Sequence, residues 1–212
     1  MVNEMKGLFI TFEGTDGSGK TSVIKKIIEE LTKEGIKVVS TREPGGVKIS
    51  EEIRDIIHDV ANTEMDPVCE AMLYAASRRQ HLIEKIKPML EKGYVVICDR
   101  YIDSSLAYQG YARNIGIDIV KNINHFAIDG FYPDLTIYLD VRPEVGIKRI
   151  YEHTQTHELN RLDKESIEFH KRVYEGYKIV SDMYKERIKT VNGENDKDTV
   201  FNDAYKLIKE IL

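Results

Sequence analysis

The chain has 212 residues, of which 42% are hydrophobic and 32% charged, and its formal net charge is −5. That is enough chain for one domain with a substantial core. The acidic balance argues against a general nucleic-acid binder, which would be basic.

No signal peptide opens the sequence and no apolar run reaches membrane-spanning length. A cytoplasmic location is the default expectation. The apolar run 8–12 reads as a buried parallel strand. Gly14-Thr15-Asp16-Gly17-Ser18-Gly19-Lys20-Thr21 follows it and fits G-x-x-x-x-G-K-[ST], the phosphate-binding P-loop. Val23, Ile24, Ile27, Ile28 and Leu31 then recur at helical spacing. The octet therefore sits between a strand and a helix, as its mechanics require. Its glycines let backbone N–H groups turn onto phosphate oxygens, and the helix adds its positive N-terminal end. Lys20 supplies a point charge, and the hydroxyl of Thr21, next to Ser22, can ligate Mg²⁺.

A second strand is expected over 36–41, then a loop through Arg42-Glu43-Pro44-Gly45-Gly46. Residues 49–60 carry a helical pattern. Pro67 opens a long helix that runs to about Lys92, with Gly93 to end it. Residues 94–98 are a third buried strand, ending at Asp99-Arg100. Helices are expected over 104–110 and 118–128, a strand over 135–141, helices over 144–151 and 164–185, a strand over 188–191 and a helix over 198–211. This alternation implies a parallel five-stranded sheet with helices on both faces, the three-layer P-loop NTPase fold, in one domain over 1–212. Cys69 and Cys98 form no C-x-x-C pair and lie in apolar segments, so both are expected to be buried free thiols. Residues 153–160 are polar; on their own they read as a plain surface loop or a mobile lid. His153 and His157 there are expected to face solvent, not a metal.

A P-loop leaves the reaction open. A small-molecule kinase, a GTPase-type switch and a motor or transporter ATPase compete. No N-K-x-D guanine signature is present, and the third strand ends Cys98-Asp99-Arg100-Tyr101 rather than Asp-Glu. Ligands in an open parallel sheet lie beyond the carboxyl ends of the strands. Asp99 there would meet Mg²⁺ through water, and Arg100 a phosphate. Phosphoryl transfer depends on positioning and charge stabilisation, which favours extra arginines.

These blocks bring a family into view. Phe12-Glu13-Gly14 before the P-loop, Thr41 to Gly46, Asp99-Arg100-Tyr101 with Ser104 to Gly110, Pro133-Asp134-Leu135-Thr136 and Asn160-Arg161-Leu162-Asp163 resemble thymidylate kinases, in the form found in low-GC Gram-positive bacteria. The resemblance covers nearly the whole chain in order. It implies transfer of the ATP γ-phosphate to dTMP with Mg²⁺, in a homodimer, with a short lid over about 150–163. A kinase for another deoxynucleotide or deoxynucleoside, or a non-catalytic regulatory protein on the same fold, remain the alternatives.

The resemblance implies the following roles. Arg42, Glu43, Arg54 and Arg100 lie toward the dTMP phosphate, with Glu43 organising arginines or water. Asp16 faces the acceptor sugar. Tyr74 stacks on thymine and Arg78 donates to its O4. Ser105 and Gln109 meet N3–H, and Tyr108 crowds the sugar 2′ position. Arg149 packs on adenine, bordered by the segment 191–195. Some relatives carry an arginine where this chain has Gly17, so a lid arginine takes over, Arg161 first and Arg149 second.

Overall fold

The computed structural model describes residues 7–152, 161–162 and 165–212. Five strands form one sheet: β1 (Leu8–Glu13), β2 (Val38–Arg42), β3 (Val95–Asp99), β4 (Leu135–Asp140) and β5 (Ile188–Asn192). Their order is β2-β3-β1-β4-β5, and every pairing is parallel. Parallel strands need crossovers, and helices supply them: α1 (Lys20–Lys33), α2 (Lys48–His58), α3 (Pro67–His81), α4 (Lys87–Glu91), α5 (Ile102–Ser105), α6 (Ile117–Ile128), α7 (Pro143–Glu152), α8 (Ile167–Met183) and α9 (Lys197–Lys209).

Strand alternation divides the core into two layers. Ile10 and Phe12 of β1 pack with Val95, Ile97, Ile137 and Leu139 against α1 and α9, through Ile24, Ile27, Leu31, Phe201 and Ala204. Phe9, Val96, Cys98 and Tyr138 face the other way, onto α3, α6 and α8. Thr11 points to that second face and shares a 2.7 Å hydrogen bond with Thr136 Oγ1, so both buried hydroxyls are satisfied.

The three-layer expectation holds, with local departures. The second strand is Val38–Arg42 rather than 36–41. The long helix is not uniform: a π-helical turn, Leu82–Ile86, joins α3 to α4. Pro88 explains it, since proline has no N–H and its ring crowds the carbonyl four residues back; the wider turn relieves both faults. A second π-helical segment, Leu106–Ala112, continues α5 and carries Tyr108 and Gln109. The helix placed at 164–185 is the shorter α8, capped by Ser166, whose hydroxyl accepts from Phe169 N. Both cysteines are free thiols, but only Cys98 is buried; Cys69 is exposed. It lies in the first turn of α3, where Pro67 and Val68 are exposed too, before the helix meets the core. Residues 153–160, with His153 and His157, lie outside the described residues.

Candidate active site

The carboxyl ends of β1, β2 and β3 open into a cleft of about 950 Å³. At its floor the chain leaves β1 through Gly14 at φ 149°, Gly17 at φ 74° and Gly19 at φ 92°. The last two are left-handed conformations that favour glycine. No side chain caps α1, so its first N–H groups point at the cleft without a protein acceptor from a capping side chain. This is the arrangement that a phosphate completes. Lys20 is 7% exposed and its Nζ lies 3.2–3.3 Å from Gly14 O, Thr15 O and Ser18 Oγ. Burial, then the nearby Arg100, pulls its pKa down. Asp16 through Ser22 line the cleft. Gly14 and Thr15 do not; they shape the turn, and the Thr15 hydroxyl donates to Val141 O at 3.2 Å.

Gly17 has a reason to be glycine beyond its φ. A Cβ there would meet Gly146 O at 2.1 Å, and one on Gly146 would meet Asp16 O at 2.4 Å. Helix α7 thus rests on the phosphate loop, backbone to backbone. An arginine at position 17 would require α7 to move off the loop. Gly146 escaped the sequence reading because only the folded contact gives it meaning.

The metal expectation can be tested on oxygen atoms. Thr21 Oγ1 donates to Asp99 Oδ2 at 3.4 Å. Asp99 Oδ1 is buried and is the one buried side-chain oxygen or nitrogen among the described residues with no hydrogen-bond partner. A buried carboxylate oxygen left bare is costly, and a hard cation or its water would satisfy it. Thr21 and Asp99 therefore fit Mg²⁺.

Arg100 is in the left-handed region, at φ 69°. Four groups hold its guanidinium: Gly14 O at 2.8 Å, Ser104 Oγ at 3.2 Å, Tyr177 OH at 2.9 Å and Asp16 Oδ1 at 2.6 Å. Asp16 Oδ2 accepts from Tyr108 OH at 2.9 Å. Burial opposes the Asp16 charge, but Arg100, Lys20 and the Tyr108 hydroxyl hold its carboxyl well below the usual range. Behind this cluster lies Glu13, 1% exposed, which the sequence reading did not single out. Its carboxylate accepts from Tyr101 N at 2.8 Å, Ser104 Oγ at 2.5 Å and Tyr177 OH at 3.0 Å. Burial and the nearby Asp103 push its pKa up to about 7.

Helix α3 and the segment running from α5 into the second π-helical stretch build another part of the cleft wall. Tyr74 and Arg78 share a face, and both line the cleft with Ser105, Tyr108 and Gln109. Arg78 is 1% exposed. Its Nε donates to Glu43 Oε2 at 2.7 Å, one terminal nitrogen to Ser105 Oγ at 3.0 Å and to Asn124 Oδ1, and the other to Tyr101 O at 2.9 Å. Five N–H groups less these four leave one for a ligand. Glu43 thus pairs with Arg78, and its other oxygen lies 3.0 Å from His81 Nδ1. Arg42 is held by Glu51, at 3.0 and 2.9 Å. Arg54 donates to Pro44 O at 3.0 Å and pairs with no carboxylate among the described residues. Its charge is left facing the cleft, beside His58, whose pKa burial and Arg54 lower to about 4.

Arg149 lies at the other end. Both its terminal nitrogens donate to Gly193 O at 3.1 Å, next to Asn195 and Phe201 in the cleft wall. Arg161 is not brought to the phosphate loop. Its Nε donates to Ile57 O at 3.0 Å, and a terminal nitrogen pairs with Glu70 Oε2. It does not line the cleft, although Leu162 does.

This geometry can be set beside known proteins. The family model for "Thymidylate kinase" matches residues 12–204. A thymidylate kinase of Oceanobacillus iheyensis is 54% identical over 208 residues, covering 98% of this chain and 92% of the relative. One from Clostridium novyi is 55% identical over 204 residues, covering 96% and 99%. The crystal structure of thymidylate kinase from Ehrlichia chaffeensis superposes with a TM-score of 0.78 at 32% identity, covering 96% of this chain and 98% of that one. With a P-loop, arginines at the strand ends and the polar side chains of Arg78, Ser105 and Gln109 lining one cleft, and with these relatives along nearly its whole length, the chain belongs to the thymidylate kinase family.

Proposed function

We infer that this kinase, which transfers the γ-phosphate of ATP to dTMP and yields dTDP for dTTP synthesis, works through the following residue roles. The observation that carries the reading is that phosphate-holding and base-reading residues line one cleft. The loop 14–19 and the N-terminus of α1 cradle the ATP phosphates. Lys20 and Arg100 stabilise charge on the transferring group, where preorganised donors act most strongly. Arg54 binds the dTMP phosphate. Asp16 accepts from the 3′-hydroxyl while it holds Arg100. Tyr74 stacks on thymine, Arg78 spends its last N–H on O4, and Gln109 with Ser105 meets N3–H.

The divalent metal that such kinases generally use would be Mg²⁺ here; Thr21 would ligate it and Asp99 would hold it through water. When bound, it would neutralise charge on the phosphates. Arg149 lies along the adenine. Arg161, as lid arginine, reaches the phosphates only by leaving Glu70.

The chain is one domain, with a short lid at about 150–163. It works in the cytoplasm; no helix among the described residues is long and apolar enough to cross a membrane, and free thiols suit a reducing compartment. It pairs as a homodimer. Helices α3 and α6 pack together and expose Met72, Ile119 and Phe126, the last 89% exposed. Exposed apolar side chains on two packed helices suit an isologous contact. Phe126→Glu should yield monomers in sedimentation velocity; unchanged dimers would place the contact elsewhere.

Calorimetry tests the phosphate assignment. Arg54→Met should remove the preference for dTMP over thymidine and leave thymidine affinity intact. A preserved preference would exclude Arg54 from the acceptor phosphate.

A further inference from the structure

Glu70 is 1% exposed and does not line the cleft, yet it touches a residue that does. Its Oε1 accepts from Gln109 Nε2 at 2.8 Å. The same oxygen takes a longer contact, 3.4 Å, from Arg113 Nε, and Oε2 accepts from a terminal nitrogen of Arg113 at 3.3 Å and from Arg161. Burial opposes this charge, and Arg113 and Arg161 hold the carboxyl below its usual range. Arg113 is fixed in turn by Glu165, at 2.6 Å.

A carboxylate of this kind only accepts. The atom of Gln109 that faces it must therefore be the amide nitrogen, and the carbonyl oxygen is left on the other side, toward the cleft. We propose that Glu70 is a specificity-determining positioning residue: it fixes the Gln109 side-chain amide in the one orientation that accepts from a pyrimidine N3–H. The proposal rests on Gln109 reading position 3 of the base. A free glutamine could rotate and offer its NH₂ instead, which would suit the unprotonated N3 of cytosine. Glu70 removes that option before any nucleotide arrives.

The two oxygens of Glu70 are loaded unequally: Oε2 takes two arginine donors, and Oε1 takes Gln109 and one longer arginine contact. In Glu70→Gln the single remaining carbonyl goes to the side with two arginine donors, because they can only donate, and only the 3.4 Å contact is given up. The new NH₂ then faces Gln109 and turns its amide over. Thymine N3–H meets a donor, and cytosine N3 meets a partner. The ratio of kcat/KM for dTMP over dCMP should fall roughly 10- to 100-fold, the size of one lost and one reversed buried hydrogen bond. In the double variant Glu70→Gln with Gln109→Glu, the new NH₂ faces a carboxylate whose other oxygen accepts from N3–H. The dTMP preference should return. A role confined to holding the fold would lower both substrates together and would not be rescued.

Gln109→Leu separates the two levels of argument. If it collapses the ratio while folded Glu70→Gln leaves it unchanged, the proposal fails and the base assignment stands. If neither variant moves the ratio, both fail. If Glu70→Gln does not fold, the double variant decides: a retained dTMP preference supports the proposal, and its loss overturns it.

Discussion

Arg100 does two jobs, and Lys20 does one. Arg100 sits at φ 69° and ties Gly14, Ser104, Tyr177 and Asp16 together. Removing it leaves Asp16 unpaired in a partly exposed site, at a cost on the order of 2 kcal/mol. Arg100→Ala should therefore lower turnover by about 10²-fold or more and also lower the melting temperature by roughly 5 °C. Lys20 makes only long contacts and loses charge stability on burial. Lys20→Ala should lower turnover by about 10²–10³-fold with melting unchanged or slightly raised. Steady-state kinetics beside calorimetry separates the two; a folded Lys20→Ala enzyme with near-normal turnover would remove the lysine from catalysis. The lid arginine can be judged in the same assay. Arg161→Ala should reduce kcat far more than it raises the KM for dTMP, because its phosphate contact belongs to the closed state. A change confined to KM would leave Arg161 as a partner of Glu70 and shift the role to Arg149.

At the scale of elements, the sheet was legible because buried parallel strands are short apolar runs, and Gly14 to Thr21 anchors the first of them. That Tyr74 and Arg78 of α3 line the cleft was legible only through resemblance, since they otherwise read as a core aromatic and a surface charge. Glu70 lies one and two helical turns before them and was passed over: a lone glutamate in a helix looks solvated until three donors are seen to converge on it. The π-helical turns were not legible, because one extra residue per turn hardly disturbs an apolar pattern. The contact of α7 with the phosphate loop was invisible too, and it gives a direct test. Gly146→Ala would drive a methyl to 2.4 Å from Asp16 O. It should push α7 off the loop and raise the KM for ATP at least about tenfold, while thymidine affinity stays near normal. An unchanged KM for ATP would mean that the loop does not depend on α7.

Across the whole molecule, the buried polar network behind Arg100 should govern how stability responds to pH. Glu13 has a folded-state pKa of about 7 against an ordinary 4.5, raised by burial and Asp103 and opposed by Ser104, Arg100 and the Tyr101 N–H. The folded chain therefore holds this proton more tightly than the unfolded chain. Its contribution to stability is fully present below about pH 4.5 and is lost as pH rises to about 7. The difference in melting temperature between wild type and Glu13→Gln should shift across that window, with wild type losing ground as pH rises. A difference that is flat with pH would mean Glu13 stays ionised throughout.

The central claim is that the cleft reads a thymine monophosphate by donor and acceptor placement. Thymine presents an acceptor at O4 and a donor at N3, which match the last N–H of Arg78 and the carbonyl of Gln109. Uracil keeps both groups and lacks a methyl, worth about 1–3 kcal/mol. Cytosine reverses both groups, a mismatch that a hydrogen-bonded site rejects by roughly 10⁴-fold. A 2′-hydroxyl would press on the Tyr108 ring, which Asp16 holds through its hydroxyl. The decisive measurement is kcat/KM for dTMP, dUMP, UMP and dCMP with ATP and Mg²⁺. The account predicts dTMP first, dUMP second, and UMP and dCMP far behind. Equal values for dCMP and dUMP would contradict it.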